Sequence, residues 1–428
     1  MNKKLWTPDF TILTLGTIVS MFGNAISGFA MGLLVLDYTN STMLYSIYLV
    51  CNNLPRLVMP LIAGPYLDRF SRKRMIYTLN FFASGLYLIV SLLVSRSLLS
   101  YPLILVFTML VGSIDSVYSV SYDSFYPMLI SEGNFSKAYS ISSLIYPLAT
   151  TIMVPVAGVA YATVGVEPLF LFNAATFFVA AVLQTRIRTR ETHMKDTQKA
   201  SFSFRRYADD FKGGLSYLRS EKGLLTITAY FCVSTLVSGA AGALLLPFFK
   251  SHTFAIPESL SFLMRFMKTE EGIGVGIYSL VMSIATFGRL IGGVVHYKFH
   301  YPVDKKFSIA LFVYAAICFI EGSYLYMPVA VMMVMELCTG MLGVTSFNIR
   351  ISATQNYVKD EVRGRFNGIF SMVNVLGMIF GQLIAGGLST VMQPRTIISI
   401  LMALNLVAVY AIMYRNRKHV KLIYNRQV

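Results

Sequence analysis

Long apolar runs separated by short polar connections are the feature of this sequence that most restricts how it can fold. Twelve runs of about 20 residues fit within its 428 residues. The runs are continuous, which favours helices over the alternating strands of a membrane barrel. With 55% hydrophobic and 13% charged residues, the chain is too apolar for a water-soluble protein. We predict an all-α integral membrane protein with twelve transmembrane helices, spans 1 to 12. Their approximate ranges are 10–36, 43–67, 75–96, 102–127, 138–164, 167–185, 223–249, 271–294, 307–326, 328–350, 366–391 and 395–415.

The 36 Lys and Arg residues are distributed unevenly between the two sides that these spans define. With the N-terminus inside, most fall in segments predicted to be cytoplasmic, among them 64–74, 186–222, 289–306 and 350–365. Arg56 is the basic residue that we assign to the interior of a span. This is the positive-inside pattern, so the formal charge of +16 indicates topology and no nucleic-acid partner. We expect a protein of the cell (cytoplasmic) membrane with both termini cytoplasmic.

One long polar segment, residues 186–222, divides the chain into two parts with six spans each. We predict an N-terminal half at 1–185, a cytoplasmic linker at 186–222 and a C-terminal half at 223–428. Apolar residues recur at helical spacing in the second part of the linker, which predicts an amphipathic helix over 204–219. A disordered linker remains the alternative for residues 188–203.

The two halves show an internal repeat, because a single sequence offset matches corresponding positions at the ends and middles of several spans. Two six-helix halves related as parallel repeats are the plan of many secondary transporters, whose substrate site lies near the middle of the membrane. The matched pairs are Gly64 with Gly292, Lys137 with Arg365, and Gly158 with Gly386.

The loop between spans 2 and 3 contains a charged motif, Gly64-x-x-x-Asp68-Arg69-x-x-Arg72-Lys73. It resembles the loop signature of the major facilitator superfamily, at the place where that family has it, and the resemblance covers essentially the whole chain. Within the superfamily the chain is similar to the macrolide-efflux type of bacterial drug exporter. That finer resemblance is carried by DFKGGLSYLRSEKGLL before span 7 and VKDEVRGRFNGIFSMV before span 11.

The resemblance implies that this loop forms a gating latch between the halves. Asp68 would accept hydrogen bonds from the N-terminus of span 11 near Gly364, whose positive dipole end favours a carboxylate. Arg72 would pair with Asp123 near the cytoplasmic end of span 4. Gly64 and Arg69 complete the motif. The alternative is that the loop's basic residues only fix the topology.

Three charged residues fall at membrane depth, where a charge costs several kcal/mol unless it is paired or hydrated. Arg56 and Asp115 lie about equally far along spans 2 and 4, so we expect them to face each other or a shared cavity. Asp115 is our favoured proton-coupling carboxylate, and a static ion pair is the alternative. Glu336 in span 10 is a further candidate, whereas Glu321 lies nearer the outer surface.

Small and polar residues of spans 1, 4, 7 and 10 are candidates for a substrate cavity. With many Met and aromatic residues around them, they favour a large amphipathic solute over a sugar. The candidates are Asn24, Ser27, Tyr118, Ser234, Ser238, Thr339 and Thr345.

No phosphate-binding loop and no grouped metal ligands occur in the sequence, so we expect neither an enzyme nor a cofactor. The leading interpretation is a monomeric secondary transporter that exports a drug- or macrolide-like compound by alternating access, with protons as one candidate coupling ion. Membrane lipid is its other expected partner. Alternatives are a transporter of a siderophore, lysophospholipid or nutrient, and a non-transporting sensor or scaffold that docks a partner on the external insertion at 250–272.

Overall fold

The computed structural model describes most of the chain as helix and the remainder as short turns and connections. Asp68 and Arg69 of the loop motif lie outside the described residues, as does most of the insertion at 250–272. The residues left out are 1–3, 68–69, 132–133, 190, 192–203, 256–260, 262–268, 299–301 and 427–428.

Fourteen α-helices follow one another in the described residues, and the all-α prediction is confirmed. We label them α1 to α14 in chain order; α1–α6 correspond to spans 1–6 and α8–α13 to spans 7–12. They are Pro8–Thr39, Thr42–Leu67, Arg72–Ser95, Tyr101–Phe125, Phe135–Val164, Glu167–Thr185, Phe204–Ser220, Lys222–Ser251, Glu270–Lys298, Lys306–Ser323, Val329–Tyr357, Asp360–Leu388, Pro394–Ala408 and Arg417–Tyr424.

Eleven helices of the described residues are long and apolar enough to cross a membrane. The remaining predicted span, α2, has 26 residues. At 1.5 Å per residue it extends about 39 Å, which exceeds the thickness of a bilayer core. Asn52, Asn53 and Arg56 lower the hydropathy of α2, so we assign it as a transmembrane span from its length.

The described residues form two compact units, the first with α1–α6 and the second with α7–α14. In the first unit, buried polar pairs tie the helices together. Asn80 of α3 donates to Gln184 of α6 at 2.7 Å, and Asn173 of α6 donates to Ser27 of α1 at 2.5 Å. Gly23 lets α1 approach Asn173, since a side chain there would collide with it.

Helices α2 and α4 cross closely in the first unit. A Cβ added at Gly112 would lie 2.8 Å from the carbonyl oxygen of Asn52 and 3.3 Å from Pro55. Arg56 lies one turn beyond Asn52, and Asp115 lies one turn beyond Gly112. The crossing therefore brings these two charged residues to the same level.

Glycines also set two close crossings in the second unit. Gly239, Gly377 and Gly381 face backbone atoms across the contact between α8 and α12. Gly288 and Gly340 do the same between α9 and α11. Small residues let membrane helices approach until their backbones touch, and dispersion contacts then stabilise the pair.

Helix α7 is the amphipathic helix expected in the linker. Leu218 is buried in the apolar core of the second unit, and Phe211 and Leu215 pack against that core. Gly214 lies against Ile369 of α12. The apolar face of this helix is therefore covered by protein.

The beginning of the linker is ordered, which corrects the disordered alternative for residues 188, 189 and 191. Asp9 of α1 accepts hydrogen bonds from the backbone N–H groups of Arg188 and Thr189. Glu191 accepts from the N–H groups of Arg72 and Lys73 at 2.8 and 3.1 Å. Glu191 thereby caps the first turn of α3, where unpaired N–H groups and the helix dipole favour a carboxylate.

Replacing this cap should loosen the linker. In Glu191→Ala the first turn of α3 loses its acceptor, at a cost of about 0.5–2 kcal/mol. We expect trypsin to cleave after Arg188 up to about tenfold faster, because the segment opens more often. Mass spectrometry of timed digests measures the rate, with Asp304→Ala, at an exposed acid of the second unit, as the control. Equal cleavage rates in the wild type and Glu191→Ala would contradict the role of the cap.

Candidate functional site

Two acids lie close together in the second unit. Glu336 is in the second turn of α11, seven residues after Val329 and therefore about 10 Å along the helix. It is only 4% exposed. Glu321 lies two residues before the end of α10 and is half-buried. The two carboxyl groups are close enough to interact electrostatically.

Arg289 of α9 is the basic residue that acts on both acids. The close crossing of α9 and α11 brings it to their level, since a Cβ added at Gly340 would lie 3.0 Å from the backbone nitrogen of Arg289. The Arg289 side chain is exposed. Its positive charge therefore acts on both carboxyl groups, but its side chain does not pack over Glu336.

Two phenols lie near Glu336, namely Tyr278 of α9 and Tyr324. Tyr324 lies in the turn after α10 and is fully buried. Its hydroxyl lies beside the Glu336 carboxyl, yet it makes no hydrogen bond of standard geometry within the described part of the chain. A small rotation of either side chain would pair them.

We call Glu321, Glu336, Arg289 and Tyr324 the acid cluster. An ionised carboxylate buried at membrane depth costs several kcal/mol unless a partner compensates it. Beside Glu336 are a second acid and two neutral phenols, while the guanidinium is exposed. The observed packing therefore favours Glu336 with a proton bound, and half-buried Glu321 is the second carboxyl that can hold a proton. The arrangement suits the uptake and release of one proton.

In the first unit, Asp115 lies within electrostatic range of Arg56 and beside Asn24. Asp115 and Asn24 are half-buried, and Arg56 is exposed. Here one acid faces one base, and Asn24 is within hydrogen-bonding reach of the acid. The roles of Arg56 and Asp115 in coupling remain predictions.

Three of the predicted cavity residues are buried in helix packing in this structure. Ser27 is fully buried and accepts the hydrogen bond from Asn173. Tyr118 is paired with Thr17 at 3.3 Å, and the Thr345 hydroxyl donates to a carbonyl of its own helix. Small polar side chains satisfy such local bonds readily, so their presence in a span does not indicate a cavity. The other candidates, half-buried Asn24, Ser234 and Thr339 and exposed Ser238, remain predictions.

An open cavity of about 410 Å³ lies in the second unit between α8, α11 and α12. We call it the Arg350 cavity. Apolar and polar side chains mix on its wall, as in many sites for organic ligands. Its lining residues are Thr235, Arg350, Ile351, Thr354, Gln355, Phe366, Asn367, Phe370, Ser371, Asn374, Val375 and Met378.

The latch residues are only partly described. Gly64 lies in the last turn of α2, and Gly364 is exposed near the start of α12 with open space around it. The predicted pair of Arg72 with Asp123 is not formed in this structure. The Arg72 guanidinium donates instead to the backbone carbonyl of Ser124 at 3.1 Å. The latch itself remains a prediction.

Sequence reasoning missed two basic residues of these sites. Arg289 and Arg350 were counted with cytoplasmic segments that fix the topology, although Arg289 falls inside predicted span 8 and Arg350 at the end of predicted span 10; the structure places both inside helices. Arg350 lies seven residues before the end of α11. The signal that could have found them is apolar sequence on both sides of each arginine, as in TFGRLIGG and SFNIRISA.

Comparison with solved structures shows the same fold. The crystal structure of the nucleoside transporter NupG matches with a TM-score of 0.66 at 13% identity, over 97% of this chain and 99% of that one. A crystal structure of a bacterial homologue of the iron transporter ferroportin, in an inward-facing state, matches with a TM-score of 0.62 at 15% identity, over 98% and 99%.

Comparison of sequences agrees with the fold. An MFS-type transporter of Bacillus subtilis (strain 168), YkuC, is 21% identical over 92% of this chain and 87% of its own length. The profile of the Major Facilitator Superfamily matches residues 13–381. The chain therefore belongs to the Major Facilitator Superfamily of membrane transporters.

Proposed function

We propose that this protein is a secondary active transporter of the cell membrane that exports a lipophilic or amphipathic, drug- or macrolide-like compound in exchange for protons. Its two units would open alternately to either side of the membrane. Binding the compound and binding the proton would then compete, so that one leaves as the other enters.

The acid cluster is the observation that carries the proton-coupling part of the proposal. Glu336 is buried with a second acid beside it, and no compensating charge is in contact with it among the described residues. Such a group binds a proton in one packing and releases it when the packing changes, which is the requirement for a coupled carrier. The mixed lining of the Arg350 cavity supports an amphipathic organic solute.

A siderophore is the second candidate for the transported compound. The Staphyloferrin A transporter of Staphylococcus aureus (strain NCTC 8325 / PS 47) is 23% identical to this chain, over 87% of this chain and 85% of its own length. That likeness supports a siderophore as the transported compound. The proposed exchange for protons is the same for either compound.

Transport into vesicles tests the proposal. Proteoliposomes are prepared with an interior one pH unit more acidic than the medium and are given radiolabelled erythromycin, lysophosphatidylcholine or a siderophore. An exchanger that moves one proton per compound supports about tenfold accumulation from this gradient. Protein-free vesicles control for passive trapping of a basic compound. Accumulation equal to that of the control for every compound, or unchanged when the pH gradient is collapsed, would contradict proton-coupled export.

A further inference from the structure

We propose that Arg350 binds an anionic group, a carboxylate or phosphate, on the compound that the protein transports. This proposal rests on the proposed function and specifies the chemical class of its substrate: it restricts the lipophilic or amphipathic compounds to anions and so excludes basic macrolides. The transported compound would be an amphipathic anion whose apolar part lies along the aromatic wall of the Arg350 cavity.

Aromatic rings hold the guanidinium of Arg350 in place. Its central carbon lies 4.9 Å from the ring centre of Phe231, 5.3 Å from that of Phe347 and 4.7 Å from that of Phe370. Rings at these distances attract the cation and fix its plane. They leave the N–H groups at the guanidinium edge free for a planar oxyanion, which arginine binds in bidentate fashion.

Arg350 has no acidic partner in the described part of the chain. The titratable side chains that act on it are the phenols Tyr314 and Tyr424, which are paired with each other at 3.0 Å. Its Nε atom is buried without a hydrogen-bond partner. A half-buried cation in this state is costly, and a bound anion would compensate it.

The cavity provides room and a second unpaired polar group. Its volume of about 410 Å³ suits a small organic ligand. Asn374 also lines it, and its buried side-chain oxygen, which has no partner, is an acceptor for a hydroxyl or N–H group on the body of the ligand and not a donor to its oxyanion. Phe366, Phe370 and Met378 offer apolar surface on the same wall. An anion with an apolar or aromatic body matches this lining.

Arg350 lies about 10 Å from the end of α11 that is predicted to be cytoplasmic. A long side chain so near a helix end often reaches the membrane surface. The three rings around this guanidinium hold it against the cavity wall, which favours a binding role over a purely topological one.

Binding of matched aromatic probes tests the inference. The full chain is purified in detergent, and its Tm is followed with increasing 2-naphthoate, 2-naphthyl phosphate, neutral 2-naphthamide and cationic 2-naphthylmethylamine. We expect an anion to bind about 10- to 100-fold more tightly than the amide, since hydrogen bonds to charged groups are the strong ones. Arg350→Met should remove this preference, and Arg350→Lys should retain part of it. Arg417→Met is the control, because that guanidinium stacks on Tyr414 outside the cavity.

Three results would overturn the inference. One is equal binding of the anions and the amide by the wild type, and another is an anion preference that survives in Arg350→Met. The third is an Arg350-dependent rise in Tm with phosphatidylglycerol that also blocks 2-naphthoate, which would identify a lipid headgroup as the ligand. The assay needs no pH gradient. Anion binding without coupled transport would therefore reject the proposed function, and coupled transport without anion preference would reject this inference alone.

Discussion

Glu336→Gln should abolish accumulation of the transported compound against its gradient while leaving movement down the gradient intact. The amide resembles a permanently protonated acid and is tolerated in the packed state that the structure shows. It cannot release a proton when the packing changes, so the pH gradient no longer drives transport. The accumulation ratio per pH unit should fall from about tenfold to one.

Two assays on the same vesicles separate coupling from folding. Accumulation is measured with the pH gradient, and exchange of labelled for unlabelled compound is measured without it. Glu167→Gln is the matched control, because that acid is exposed in the first turn of α6, in the other unit. Loss of exchange together with accumulation would indicate a structural role for Glu336, and full accumulation would remove it from the mechanism.

Gly340→Ala should lower both stability and transport, whereas Gly343→Ala on the same helix should not. A Cβ at Gly340 would collide with the backbone oxygen of Ala285 on α9, while a Cβ at Gly343 meets nothing within 4 Å. Overpacking of this kind costs about 1–3 kcal/mol. It would also push α9 away from α11 and move Arg289 away from Glu321 and Glu336.

The thermal midpoint in detergent and the accumulation ratio measure the two effects. We expect Gly340→Ala to unfold several degrees below the wild type and to accumulate less compound. Gly343→Ala should match or exceed the wild type, because alanine favours a helix over glycine by about 1 kcal/mol. Equal thermal midpoints and equal accumulation ratios for the two variants would show that the α9–α11 crossing does not position the acid cluster.

The sequence was sufficient to predict the helices, because twelve long apolar runs have few ways to satisfy their backbone groups in a membrane. Most predicted ends lie within a few residues of the observed ones. The exceptions lie where a span continues into polar sequence, as α11 does from residue 350 to Tyr357. Apolarity marks the part of a helix inside lipid, whereas hydrogen bonding and capping fix its end.

The sites were less predictable, because they depend on how helices rotate and cross. Glu336 could be identified as a candidate because its position in span 10 places it at membrane depth. Its pairing with Glu321 and Arg289 required the crossing at Gly340, and a single sequence does not show which helices touch. The contacts of Ser27 and Tyr118 with neighbouring helices could not be predicted for the same reason: a polar residue in a span faces a cavity or a neighbouring helix according to the packing.

The acid cluster of the second unit is our proposed carrier of the coupled proton, whereas the sequence alone favours Asp115. The direct measurement is the signal of a pH dye inside proteoliposomes when a transported compound is added, compared among the wild type, Glu336→Gln and Asp115→Asn. We predict that the wild type and Asp115→Asn move protons and that Glu336→Gln does not. A signal that persists in Glu336→Gln, or that is lost only in Asp115→Asn, would contradict this account.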